Sequence, residues 1–96
     1  RLEGYFSFSG ASHLAGELKG KIYSDSTVII AETAVIEADI EAREVYIHGL
    51  MKGNILASDR VEIKKPARFE GVISSPSLSV EEGVIFHGKT DTSESP

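Results

Sequence analysis

Cysteine is absent from this sequence of 96 residues, which excludes disulfides, thiol nucleophiles, iron–sulfur clusters and cysteine zinc sites. Long apolar runs are also absent: none approaches the roughly 20 residues that span a bilayer, and no segment resembles a signal peptide. Basic residues are in the minority, 10 against 15 acidic ones, which argues against nucleic acid or anionic lipid as the main partner. These absences predict a soluble protein of the cytoplasm.

The chain does contain enough apolar sequence to fold. Hydrophobic residues make up 41% and charged residues 26%, which excludes a disordered segment, and 96 residues leave room for one domain. The chain starts at Arg1 rather than at methionine, and we expect it to be a piece of a longer protein.

An internal repeat is the strongest signal in the sequence. Apolar or small residues at alternate positions recur in five copies, which begin near residues 12, 28, 45, 61 and 78 and are spaced by 16 or 17 residues. Alternation with period two is typical of a half-buried strand and not of a helix. A repeat this short fits one coil of a parallel β-solenoid. We therefore predict an all-β fold, a single parallel β-helix of about five coils whose equivalent residues stack about 4.8 Å apart.

Stacking the copies predicts the core. One column holds large side chains and another holds isoleucines, and together they give the predicted core residues Leu18, Ile22, Ile36, Ile40, Met51, Ile55, Phe69 and Ile73. Between them runs a column of small residues: Gly20, Ala38, Gly53, Gly71 and Gly88. Small residues here indicate a narrow corner, where a side chain would meet the opposite wall or where the backbone needs positive φ.

The two ends of the solenoid carry the functional prediction. A solenoid leaves unpaired backbone and exposed core at its first and last coils unless something covers them, and no helix is predicted to do so. Apolar side chains lie there instead, and we predict a polymer interface formed by Phe6, Phe8, Val84 and Phe86. The alternative for residues 5–8 is a lid that seals its own end. The predicted boundaries are 1–11 for this segment, a partial coil or cap, 12–91 for the β-helix and 92–96 for a disordered tail.

Four stretches of the repeat resemble the coils of the bactofilins, a family of bacterial cytoskeletal proteins. They are LKGKI at 18–22, MKGNILA at 51–57, ARFEGVI at 67–73 and SLSVEEGVIFHG at 77–88. The resemblance implies a right-handed β-helix that assembles end to end without nucleotide and scaffolds cell-shape or envelope-building machinery. It also implies a location in the cytoplasm or at the inner face of the cell membrane, with membrane contact only through a tail outside this sequence.

Catalysis is the rival function. Residues 30–35 and 63–68 locally fit the six-residue repeat of left-handed β-helix acyltransferases and their carbonic anhydrase relatives. Such a chain would keep coils of about 18 residues, which this period does not match. Zinc catalysis would also need three converging imidazoles. His13, His48 and His87 lie about two coils from one another, roughly 10 Å along the axis, so one chain cannot bring them to one metal.

Acidic residues are concentrated in one coil, notably Glu37, Asp39, Glu41 and Glu44, with Glu32. Paired carboxylates can perform acid–base chemistry in a cleft, but these are predicted to face solvent from a convex rod without a pocket. The net charge is −4 over residues 28–44 and +1 on each of the next two copies. This banding either sets the lateral register between rods or simply keeps the chain soluble.

The sequence thus predicts a structural protein that is not an enzyme and uses no cofactor or metal. Its expected partner is itself, in a homopolymer, together with cell-wall or envelope enzymes. The alternative function is a non-polymerising β-helix adaptor that docks an envelope-building enzyme.

Overall fold

Alternating apolar and polar residues form strands throughout the computed structural model, which describes residues 2–65 and 67–91. The expected tail at 92–96 lies outside the described residues. The described part of the chain contains nine strands and no helix. The strands are β1 (Leu2–Phe8), β2 (Ser12–Leu14), β3 (Glu17–Ser24), β4 (Thr27–Ile30), β5 (Val35–Ile47), β6 (Leu50–Ile63), β7 (Arg68–Ser74), β8 (Leu78–Val80) and β9 (Ile85–Asp91).

These strands pair in parallel, and each strand pairs with the equivalent strand one turn away. The main stack runs β1-β3-β5-β6-β7-β9, and we number its six layers 1 to 6 in that order. A second stack passes through β2, β4, the end of β5, the end of β6 and β8. The starting residues of the copies pair directly, as in Ser12 with Val28 and Val61 with Leu78. The predicted all-β parallel solenoid of about five turns is therefore confirmed.

Strand β5 shows why the sequence folds this way. Along it, buried Ile36, Ala38 and Ile40 alternate with exposed charged residues such as Glu37 and Glu41. Successive side chains of a strand point to opposite faces, so this pattern buries one face and hydrates the other. The same pattern in the neighbouring strands closes one apolar core inside the coil.

The core follows the columns read from the sequence. Ile36 pairs with Met51, and Met51 pairs with Phe69. All eight residues placed in the core are at most 6% exposed. Each such side chain contributes about 1.5–3 kcal/mol by leaving water.

The small-residue corner is narrow because neighbouring coils approach closely there. Gly71 has φ +134, and a Cβ at this position would collide with the main-chain oxygen of Gly53 in the coil below. The expected collision with the opposite wall is therefore wrong, because the obstacle is the adjacent coil, whereas the expected positive φ is found. Ala38 occupies the same column without positive φ.

Turns between the strands absorb the variation in coil length. In the longer coils the Ala34 amide donates to the Ala31 carbonyl oxygen at 3.0 Å, and the Ala67 amide donates to that of Lys64 at 2.9 Å. The short turn at Gly49 lies against the turn of the preceding coil, where a Cβ would meet the carbonyl oxygen of Ala31. Insertions placed at turns leave the inward register of the following strands unchanged.

Candidate functional site: the ends and outer faces of the solenoid

The C-terminal end of the solenoid is an open sheet edge. Among the described residues, β8 pairs only with β6 and β9 only with β7, so the outer edge of each has no strand beside it. Phe86 stacks on Phe69, with ring centroids 5.2 Å apart and planes at 23°. Phe69 is 0% exposed, whereas Phe86 is only partly buried. The ring of Phe86 is therefore covered by the core on one side and open on the other.

Further apolar side chains surround Phe86. Val84 is partly buried and packs on the core, as Phe86 does. Ile85 is 45% exposed and Val80 is 44% exposed. This end consequently combines unpaired strand edges with an apolar surface, the combination that favours pairing with another chain.

The N-terminal end is open in the same way. Strand β1 pairs with β3 in register, with Phe6 beside Ile22 and Phe8 beside Ser24. Phe6 and Phe8 are partly buried against the core. Residues 5–8 thus lie in a strand that continues the stack, not across its end. Nothing lies within 4 Å of a Cβ built at Gly4, the position equivalent to the crowded glycines of the later layers.

The four residues placed at the interface therefore form two groups. Phe6 and Phe8 lie in layer 1, whereas Val84 and Phe86 lie at the opposite end. Within one chain the two groups do not meet. Two groups at opposite ends suit a subunit that makes one contact at each end.

A charged column along the outer surface was missed by the sequence reasoning. Its members alternate in sign from layer 1 to layer 5 and end on a histidine: Glu3, Lys19, Glu37, Lys52, Glu70 and His87. Lys19 Nζ lies 3.4 Å from Glu37 Oε2, and Lys52 Nζ lies 3.4 Å from Glu70 Oε2. The alignment of the copies that gave the core columns also aligns the outward residues, and applying it to them would have revealed this column. The net charge summed over each coil concealed it, because opposite charges cancel in the sum.

A polar cluster links β4 to β5 on another face. Tyr46 Oη donates to Glu44 Oε1 at 3.1 Å, and Thr27 Oγ1 donates to the same atom at 3.5 Å. The hydrogen bond to Glu44, with burial and the nearby carboxylate charge, raises the pKa of Tyr46 above 10.0. The hydrogen bond to Glu62 raises the pKa of Arg60. Of these contacts, the hydrogen bond from Thr27 to Glu44 joins adjacent coils, which indicates a structural role.

The described residues contain no group of three or more histidine and acidic side chains that could hold a metal. No helix in that part of the chain is long and apolar enough to cross a membrane.

The expectation of a convex surface without a pocket is wrong. A groove of about 480 Å³ lies on the outer face that carries Asp39 and Glu41. Its walls are two neighbouring columns of outward side chains, and its floor is the backbone between them in β3, β5 and β6, which carry the buried isoleucines Ile22, Ile40 and Ile55. Sequence alternation placed these carboxylates outward but did not reveal a depression between the columns.

Comparison with known proteins agrees with this geometry. A family model described as "Bactofilin: Polymer-forming cytoskeletal" matches residues 1–91. The chain belongs to the bactofilin family. The resemblance read from the coils is confirmed, and the family to which this bactofilin belongs is described as polymer-forming and cytoskeletal.

Two curated relatives come from Myxococcus xanthus (strain DK1622). This bactofilin is 40% identical to bactofilin BacO over 78 residues, which cover 81% of this chain and 62% of the relative. It is 28% identical to bactofilin BacP over 76 residues, which cover 79% of this chain and 32% of the relative. The chain thus spans less than two thirds of either relative. No solved structure gives a significant match.

Proposed function

We propose that this bactofilin assembles end to end into filaments without a nucleotide. The observation that carries the proposal is the ring of Phe86, which completes the core on one side and is open on the other. The interface residues proposed are Phe86 and Val84 at one end and Phe6 and Phe8 at the other. Membership of a polymer-forming family supports the same conclusion.

The junction would use two kinds of contact. The outer edges of β1 and β9 carry backbone groups that have no strand beside them in the described chain, and a neighbouring subunit would supply that strand. Covering the open side of an aromatic ring would add about 1–2 kcal/mol. Neither kind of contact involves a nucleotide.

The decisive experiment is electron microscopy of the purified chain over a range of concentrations, without nucleotide and with EDTA. We expect filaments above a critical concentration in both conditions. A chain that remains monomeric at every concentration would contradict the proposal and leave the non-polymerising adaptor as the function. Filaments that disappear with EDTA would show that the histidine or carboxylate side chains bind a metal needed for assembly.

We further propose that the filaments act in the cytoplasm, or at the inner face of its membrane, as a scaffold for cell-shape or envelope-building enzymes. A filament repeats each outer face at a fixed spacing, which raises the effective concentration of a bound partner. In the native bacterium, replacing the protein by an assembly-defective variant should disperse such an enzyme. An unchanged distribution of every cell-wall enzyme would contradict the scaffolding role.

A further inference from the structure

One lateral face of the solenoid gathers exposed apolar side chains from distant parts of the chain. Tyr5, Tyr23, Leu56 and Val72 are 83%, 48%, 50% and 41% exposed, and all four line the groove described above. They lie in layers 1, 2, 4 and 5. The remaining large exposed apolar residues among those described, Val80 and Ile85, lie at the C-terminal end. This groove face is therefore an apolar surface distinct from the ends.

The charges on the groove face are unevenly placed. Lys21 lies in layer 2, with its Nζ 5.7 Å from the centroid of the Tyr5 ring. Asp39 and Glu41 lie in layer 3, beside Lys21 and Tyr23 respectively. Layer 2 of the face is thus positive and layer 3 is negative. If two copies pack with their solenoid axes antiparallel, layer 2 of each copy can face layer 3 of the other, and opposite charges meet.

We propose that the groove face is a lateral contact between two copies of this chain, related by a two-fold axis that runs along the strands between layers 2 and 3. This axis sets Lys21 opposite Asp39 of the second copy, and the symmetry repeats that contact. It also sets Tyr23 opposite Glu41 of the second copy. Layer 1 then faces layer 4, which sets Tyr5 opposite Asn54 and Ser7 opposite Leu56.

Two other arrangements of the same faces bring like charges together. A two-fold axis through layer 3 sets Asp39 opposite Asp39 and Glu41 opposite Glu41. A two-fold axis parallel to the solenoid sets Asp39 opposite Glu41 twice. Like charges placed opposite each other oppose association, whereas the axis between layers 2 and 3 sets Lys21 opposite Asp39 twice, so charge favours that register.

The area of this contact is too small to hold two isolated domains together. Four layers at about 4.8 Å and strands of four to five residues give about 300 Å² on each copy, against about 800 Å² for a standard interface. Two isolated domains should therefore associate weakly. The contact becomes stable only when a polymer repeats it, so this inference rests on the proposed end-to-end assembly.

The test compares filament widths by electron microscopy at low ionic strength. We expect wild-type filaments to occur in pairs, and the Lys21→Asp variant to form single filaments with at least a tenfold smaller paired fraction. The charge-swapped variant Lys21→Asp/Asp39→Lys should restore pairing, because the opposed charges attract again. Higher salt should separate the wild-type pairs by screening the same contact.

Lys19→Asp is the matched control. Lys19 forms the ion pair with Glu37 in the neighbouring charged column, so its reversal disturbs a similar contact within the chain but lies outside the groove. Pairing should survive this change. Equal pairing in wild type and Lys21→Asp would overturn the lateral contact, as would loss of pairing in Lys19→Asp alone.

The failure of this inference can be told apart from failure of the proposed function. Single wild-type filaments at every salt concentration would reject the second copy as the occupant while leaving end-to-end assembly intact, and would assign the groove to a segment of another protein. A wild-type chain without filaments would reject both proposals.

Discussion

The ring of Phe86 lies on the ring of Phe69 at a centroid distance of 5.2 Å, yet only Phe69 is enclosed by coils on both sides. The two residues are equivalent positions of adjacent layers. A column built for the interior thus ends in a side chain that the monomer covers only in part. The chemistry that folds each coil onto the next is the chemistry available for joining one subunit to another.

Phe86→Arg should abolish filaments while the remaining coils keep their core. The substitution places a guanidinium where the ring of Phe86 is open. A subunit junction at this site would bury that charge without a partner of opposite charge. We expect a folded, β-rich small species by circular dichroism and sedimentation. Thr33→Arg, which adds the same charge on an exposed turn, should leave assembly unchanged.

Two outcomes bear on that prediction. Filaments of Phe86→Arg would contradict the C-terminal contact. Global unfolding of Phe86→Arg would show that Phe86 mainly stabilises the core. Phe6→Arg, at the opposite end, would then be the variant that tests whether filaments need a terminal contact.

Ile40→Lys should unfold the domain. Ile40 is 2% exposed in a central layer, and an unpaired buried ammonium together with the lost packing should cost at least about 4 kcal/mol. The neighbouring change Glu41→Lys alters an exposed side chain and should shift unfolding by less than about 1 kcal/mol. Chemical denaturation of the two variants gives the comparison, and equal midpoints would mean that the inward register is wrong by one residue.

Gly71→Ala should destabilise the fold more than Gly16→Ala. Both glycines have positive φ, +134 and +81, so both substitutions strain the backbone. Only at Gly71 would the added Cβ also collide with the neighbouring coil, whereas nothing lies within 4 Å of it at Gly16. We expect a loss of about 1–3 kcal/mol at Gly16 and several kcal/mol at Gly71. Similar urea midpoints for the two variants would argue against close approach of the coils.

Lys52→Glu should lower stability by about 1 kcal/mol at low salt. The new carboxylate would lie between those of Glu37 and Glu70 in successive layers, so an attraction at 3.4 Å becomes a repulsion. Added salt should recover much of the loss because the column is exposed. Lys64→Glu makes the same change in net charge at a turn, and its melting temperature should hardly depend on salt. An equal salt response in the two variants would argue against the charged column.

Ionisation of Tyr46 should lower the stability of the fold at alkaline pH. Its pKa is raised above 10.0 in the folded chain, so the stabilisation is present below that value and is lost as pH rises through the higher folded pKa. Phenolate absorbance can be titrated with pH in wild type and in Tyr46→Phe. The difference between the two curves should show one group that titrates above pH 10.0. Glu44→Ala should move this step down, because the hydrogen bond to Glu44 is the main cause. A step that stays in place would mean that Glu44 is not its cause.

Much of this fold can be predicted from the sequence, because the side chains that a strand buries are decided by the alternation of neighbouring residues. Alternation along Ile36-Glu37-Ala38 decides which side chains point inward, and the repeat of 16 or 17 residues decides which of them stack. The columns through Met51 and Phe69, the small-residue corner and the apolar ends all follow from those two facts. The same pattern predicted that no helix covers Phe6 or Phe86, and the described residues contain none.

The outer surface was decided only by the tertiary structure. Tyr5 and Val72 are far apart in the chain, yet they line one groove because successive coils bring their strands onto the same face. Lys19 meets Glu37, and Lys52 meets Glu70, only once turns of unequal length have fixed which outward residues are neighbours. Periodicity states that a side chain faces water, but its exposure and its partners depend on the bend at the glycine corner and on the side chains one layer above and below.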